Sequence, residues 1–433
     1  MSGKNKRMRR MKPSRHGLAA LAFALAVCAP ALAASPDDPD DGTIVIVLTG
    51  DVGLNASNMP VDPKGATRNG FRTWADMTSA IAADINGDLN FMNLETVVTD
   101  RNDLTPDRKE QSGPFDFRMH PEGLKHLVAR GFNVLSLANN HSMDYYVEGL
   151  RETLRHVGAL RGKGILAASG VGMTFEEASR PQLITLKGAT IAFTATGIIT
   201  NNLDRHHAGP DKPGQTNSRS PTDFAEVLRR LREAKADFRI LSVHHGIEYQ
   251  VRADPEQIAQ WRGEAAQRDG IDLVVGHHPH VVRGVEMTGR SLIFYSLGNF
   301  LHLGTIDLSA KGICSSYGLM ARVYLRKDAD GRLAIRAVEA IPVTDTNFRT
   351  RRLTGEQGTA RVHALNYLNA ALDDRAGKAR GVRFTPQGDG SGLYCLPGAE
   401  KDPGRVSRLC QNFHDAPPIP PALLGQIAAS CAR

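Results

Sequence analysis

The chain has 433 residues, 41% hydrophobic and 23% charged, with 42 Gly and 23 Pro, a composition that supports a sizeable core and excludes disordered and collagen-like classes. Its formal net charge of +7 does not point to nucleic acid. Lys4, Lys6, Arg7, Arg9, Arg10, Lys12 and Arg15 lie in an N-terminal segment that has no acidic residue, and the remainder carries as many basic as acidic groups.

That segment comes first in chain order. A basic stretch ends at Arg15, an apolar run follows from Gly17 to Cys28, and Ala31, Leu32 and Ala33 supply small residues, the layout of a secretory signal peptide over residues 1–33 with cleavage after Ala33. The apolar run is shorter than the roughly 20 residues that span a bilayer. An exported protein, periplasmic or extracellular, is therefore expected, with an uncleaved N-terminal anchor as the alternative. Val27 stands where a lipoprotein site before Cys28 would want a smaller residue.

Thr43 to Thr49 is apolar and β-branched, as a strand buried on both faces would be, and it stops at Gly50-Asp51. The same strand-then-loop unit recurs from Asp88, Phe132, Phe238, Ile271 and Leu292. Helical patterns lie between several of these, at Trp74 to Ala83, Pro121 to Arg130, Val147 to Val157, Pro221 to Ala236 and Pro255 to Arg268. Alternation of this kind predicts an α/β fold with much parallel pairing and a site at the carboxyl ends of the strands. Leu183 to Leu186, Thr190 to Thr196, Gly318 to Arg326 and Leu333 to Val343 read as strands without intervening helices, hence antiparallel additions and a second sheet, the two sheets covered by helices. Residues 199–221, which include His206 and His207, read as a loop at the rim of the site. The main domain is placed at 43–345. Residues 346–433, with a helix from about Glu356 to Leu372 and a cysteine-containing tail, read as a small appendage.

Once the leader is removed, Cys314, Cys395, Cys410 and Cys431 remain, an even number suited to disulfides in an oxidising compartment. Of the three possible pairings, Cys395 with Cys410 and Cys314 with Cys431 are expected.

Chemistry concentrates where the strands end: Asp51; Asn93 and Glu95; Asn139, Asn140, His141 and Asp144; His244, His245 and Glu248; His277, His278 and His280. In a parallel sheet these ends share one rim. Carboxylate, imidazole and amide oxygen together suit zinc, manganese or iron. Each cluster also has a plainer reading. Gly-Asp after a strand makes a turn, Asn139-Asn140 can cap a helix, and His244 and His245 point opposite ways in an extended chain. His277 is the supporting member of its cluster. Together the clusters exceed what turns and caps need, since caps do not call for histidine.

The ordered motifs GD (Gly50-Asp51), NLET (Asn93 to Thr96), SLANNHSMD (Ser136 to Asp144), HHGIEY (His244 to Tyr249), GHHPHV (Gly276 to Val281) and YSLGNF (Tyr295 to Phe300) resemble the CapA family of bacterial capsule and poly-γ-glutamate synthesis proteins. That family is related to calcineurin-like metallophosphoesterases. The resemblance implies a two-sheet α/β/β/α sandwich that holds one or two divalent ions of the Mn, Zn or Fe type. It places metal ligands at Asp51, Glu95, Asn140, His244, His278 and His280, and an assisting catalytic histidine at His141. Asn93, Asp144, Glu248, His277 and Asn299 would support them. Gly53 departs from the wider pattern, which has a histidine there, and Glu95 stands where Asp is usual. The implied function is a metal-dependent hydrolase acting on a phosphoester or an anionic polymer. The alternative is a non-catalytic partner of the capsule machinery at the membrane, binding metal or polymer.

Overall fold

A computed structural model describes residues 41–107, 115–200, 203–328, 330–374, 377 and 379–432. The expected signal peptide and its cleavage site lie outside the described residues. The strand expected from Thr43 runs over Ile44–Gly53 and is buried throughout, because it is central in its sheet. On one side it pairs parallel with Leu89–Leu94, which is followed outward by Val134–Ser136 and Ala167–Ser169, all parallel. On the other side the Gly318–Lys327 and Leu333–Thr344 hairpin pairs antiparallel.

The second large sheet has its own parallel set, Ala189–Gly197, Phe238–His244, Leu273–His277 and Ser291–Phe294, flanked by the antiparallel strands Gln182–Leu186 and Val285–Thr288. This corrects the single shared rim expected above: Asp51 and Asn93 belong to one sheet, His244 and His277 to the other. Within the YSLGNF segment the chain passes between sheets. Ser291–Phe294 ends in the second, and after Gly298 (φ 65) the short strand Asn299–His302 pairs parallel with Ile44–Gly53. The backbones approach closely there, since a Cβ on Gly50 would lie 1.8 Å from the Gly298 carbonyl oxygen.

Period-two alternation sorts the side chains. Ile46, Leu48 and Phe91 join Ile191, Phe193, Ile240 and Val275 in one apolar cluster containing residues of both sheets. Val47, Met92 and Leu135 instead pack with Leu124, Leu127, Leu150 and Val157 of helices Pro121–Ala129 and Tyr146–Leu160. On the second sheet, Ala192, Leu241 and Val274 meet Phe224 and Val227 of helix Pro221–Glu233 and Trp261 of Ile258–Arg268. Each such large apolar side chain contributes about 1.5–3 kcal/mol by leaving water.

Several elements differ from expectation. The helix expected at 74–83 is Trp74–Thr78 followed by a 3₁₀ turn at Ala82–Asp84; Ser79 Oγ donates to the Asp76 carbonyl and so competes with continued helical bonding. Residues 258–268 are π-helical after a single α-turn, Pro255–Gln257. The segment expected to be a loop contains helix Leu203–His206, and strand Gly214–Gln215 pairs with Val171–Gly172.

Residues beyond 345 do not stand apart. Arg351–Arg352, Thr385–Pro386 and Gly392–Cys395 extend the first sheet, Ala379–Gly381 edges the second, and these residues fall in one compact unit with the sheets. Helix Pro421–Cys431 is tied to the body by Cys314–Cys431, and Cys395–Cys410 closes the tail loop. Both expected pairings are present. Among the described residues no helix is long and apolar enough to cross a membrane.

Candidate metal centre

Asp51 lies at the carboxyl end of the central strand, fully buried. Its Oδ1 accepts from Asn93 Nδ2 at 2.9 Å and lies 3.3 Å from His277 Nδ1; its Oδ2 lies 3.2 Å from His280 Nδ1. Burial by itself would raise its carboxyl, but the hydrogen bonds and charge of His277 and His280 hold it well below the usual range.

Glu95 follows the neighbouring strand and is also fully buried. Oε1 lies 3.4 Å from His244 Nε2 and 3.9 Å from His141 Nε2, while Oε2 lies 3.5 Å from His302 Nε2. Burial, together with the negative charges of Asp51, Glu248 and Asp144, pushes this carboxyl well above the usual range, with His280 opposing.

The third strand end, Ser136 to Asp144, is a turn rather than a cap for an immediately following helix. Asn139 Oδ1 accepts from the His141 amide at 3.1 Å and its Nδ2 donates to the Leu94 carbonyl at 2.9 Å. This directs Asn140 Oδ1 to 2.7 Å from His244 Nε2. His141 Nδ1 pairs with Asp144 Oδ2 at 2.8 Å, and Asp144 in turn accepts from the Phe117 amide at 2.6 Å, which fixes the ring so that Nε2 faces the cleft.

The second sheet supplies His244, His277, His278 and His280. Strand Leu273–His277 ends at His277, whose ring stacks on Phe91 at 5.3 Å. His278 and His280, on either side of Pro279, have φ of 95° and 58°. Left-handed backbone at a non-glycine residue costs of order 1–2 kcal/mol and concentrates at functional sites; here it breaks the strand's alternation and turns both imidazoles into the cleft. Burial and neighbouring imidazoles push His244 and His278 well below the usual range, toward the neutral form that ligates. Burial would also lower His280, yet Glu95, Asp51 and Glu248 raise it to about 10.

Two donor groups result, Glu95–His244–His278 and Asp51–Glu95–His280, each with its ligand atoms within 4.8 Å of one another. They share Glu95. Both Glu95 oxygens, His278 Nδ1 and His302 Nε2 are buried without a hydrogen-bond partner among the described residues. Orphaned groups of this kind are costly unless an ion takes them up, so the donor set fits divalent cations.

Eleven of the twelve expected site residues converge: Asp51, Asn93, Glu95, Asn140, His141, Asp144, His244, His277, His278, His280 and Asn299, whose Oδ1 lies 2.9 Å from His280 Nδ1. The twelfth, Glu248, is exposed on the loop after His244 and acts on the centre through its charge. His245 turns away, its Nε2 3.8 Å from Glu256, with burial bringing it down to about 4. His206 and His207 pair instead with Asp107 and Asp223. His302 was not anticipated. Its signal in the sequence is slight, a single histidine three residues past Asn299.

The family model described as "Bacterial capsule synthesis protein PGA_cap" matches residues 45–303. The "PGA biosynthesis protein CapA" of Bacillus subtilis (strain 168) is 30% identical over 234 residues, covering 53% of this chain and 57% of that protein. The "Capsule biosynthesis protein CapA" of Bacillus anthracis is 31% identical over 191 residues, 42% of each chain. A "Probable polyglutamine synthesis accessory protein" of Mycobacterium tuberculosis is 30% identical over 236 residues, 51% of this chain and 57% of that protein. The chain thus spans about half the length of these curated relatives.

Proposed function

Because the chain belongs to the PGA_cap family of bacterial capsule synthesis proteins, whose CapA members it resembles, we propose that it is an exported metal-dependent hydrolase acting on a phosphoester or an anionic polymer such as poly-γ-glutamate. The observation that carries this reading is the placement of Glu95, whose two oxygens face imidazoles from different strands at 3.4 and 3.5 Å. We read the helices and two large sheets as the α/β/β/α layers of a metallophosphoesterase-like sandwich. Asp51, Glu95, Asn140, His244, His278 and His280 would hold one or two ions of the Mn, Zn or Fe type.

A divalent cation at such a site supplies Lewis acidity and lowers the pKa of water toward about 7. The protein's own groups do the rest. Asn93 and His277 orient Asp51, and Asn299 orients His280. His141 belongs to neither donor group, and its ring is oriented by Asp144, the arrangement of a general acid that protonates a leaving group. Partners at the membrane would be the capsule synthesis machinery. The two disulfides support a location outside the cytoplasm.

The test is metal analysis of purified protein followed by assay on phosphomonoester, phosphodiester and γ-glutamyl substrates. Bound metal with turnover of one class is expected. Bound metal without turnover on any of them would favour a non-catalytic partner in polymer assembly, and absence of metal after loading would reject the centre.

A further inference from the structure

Arg68 follows the short strand Gly65–Thr67, in the turn of the hairpin that this strand makes with Phe71–Thr73. Its Nη1 donates to the Leu303 and Thr305 carbonyls, in the turn after strand Asn299–His302. That turn forms part of the wall of the metal centre. Thr305 Oγ1 accepts from Asn299 Nδ2 at 2.9 Å, and Asn299 Oδ1 lies 2.9 Å from His280 Nδ1. Arg68 and His280 are thus both anchored to residues 299–305.

The two carbonyls occupy Nη1 alone, and Nε and Nη2 of Arg68 have no protein partner among the described residues. Nor does a carboxylate among them hydrogen-bond this half-buried side chain: burial lowers the guanidinium, and Asp307 and Tyr249 oppose that through charge alone. A guanidinium offers a planar fork of N–H donors that matches a carboxylate or phosphate, and part of the fork is left over here. Its charge reaches the centre. His302 is pushed well below its usual range by burial and by the charges of His280, His141 and Arg68. Tyr249, whose ring lies 6.1 Å from that of His280, is pushed up to about 12 by burial and the charges of Glu248 and Glu95, against the charge of Arg68. On the hydrolase reading above, on which this inference rests, we propose that Arg68 is a specificity residue that binds a second acidic group of the substrate, beside the group engaged by the cations. The substrate class is then a molecule with repeated acidic groups, a polyanion, rather than an ester whose remaining part is neutral.

The test is calorimetric titration of Mn²⁺-loaded protein with alkylphosphonates, which have no hydrolysable P–O ester bond, each matched to the ω-carboxyalkylphosphonate of equal length, over a range of chain lengths. In wild type the carboxylate should tighten binding about tenfold at the length that reaches Arg68. Arg68→Gln should erase this gain. Arg68→Lys, a point charge without the planar fork, should keep part of it. Circular dichroism and metal content check that each variant is folded and loaded. If Arg68 only secures the 303–305 turn, Arg68→Gln would weaken both members of each pair alike, and the proposal would be overturned. A gain that survives Arg68→Gln would place the carboxylate on the cations and overturn it too, as would a wild type that gains nothing from the carboxylate at any length. Wild type that binds neither kind of phosphonate would instead reject the hydrolase reading beneath the proposal.

Discussion

Replacing His278 separates two contributions that the structure places on one residue, metal ligation and left-handed backbone. Its ring lies 4.8 Å from that of His244 in the Glu95–His244–His278 group, and its φ is 95°. A cation bound only by the folded state stabilises by RT ln(1 + [L]/Kd), about 2.7 kcal/mol when free ion exceeds Kd a hundredfold. Chelator should therefore cost wild type about 2.7 kcal/mol for each ion held under those conditions, and His278→Ala should lose the share that belongs to the Glu95–His244–His278 group. His278→Gly loses the same imidazole but accepts positive φ freely. It should exceed His278→Ala in stability by about 1 kcal/mol, reversing the order found in regular strands and helices. The assay is urea unfolding with and without chelator, followed through Trp74 and Trp261, both buried. A chelator effect in His278→Ala equal to that in wild type would remove His278 from the ligand set. A glycine variant less stable than the alanine variant would refute the backbone argument.

His141→Ala should keep metal and fold while losing about 10²–10⁴ in turnover, the usual worth of a general acid or base; loss of metal in elemental analysis would make it a ligand. His277→Ala removes the stack on Phe91 and the contact with Asp51 and should weaken metal binding about 10–100-fold without abolishing it; complete loss of metal in elemental analysis would make His277 a ligand and contradict its supporting role. Exported protein should show no free thiol in denatured, unreduced samples. Replacing Cys314 and Cys431, 117 residues apart, should destabilise more than replacing Cys395 and Cys410, 15 apart, by about 4.7 against 3 kcal/mol on loop entropy, and the reverse order in urea would contradict this. Amino-terminal sequencing of exported protein should begin at Ala34; a start at Met1 would favour the anchored form.

Sequence by itself determined the principal strands and which polar residues stand at their ends. The run from Thr43 to Thr49 is legible as a strand because burial on both faces demands a near-continuous apolar stretch, here rich in β-branched residues. The ends of the strands are legible as site-forming because turns and caps account for an aspartate or an asparagine there but do not call for histidine. The same period-two rule that excludes His245 applies only while the chain stays extended, which it does through His244.

Tertiary structure decided what local pattern cannot carry. That Phe238–His244 and Leu273–His277 lie in a different sheet from Ile44–Gly53 follows from strand order, which depends on contacts between residues far apart in the chain. The inward aim of His278 and His280 rests on left-handed backbone, which alternation would have misdirected. His302 reaches Glu95 because Asn299–His302 returns beside Gly53, whose missing side chain leaves space for an imidazole delivered from about 250 positions further along, since a binding site is set by where atoms meet in space rather than by their spacing in the chain.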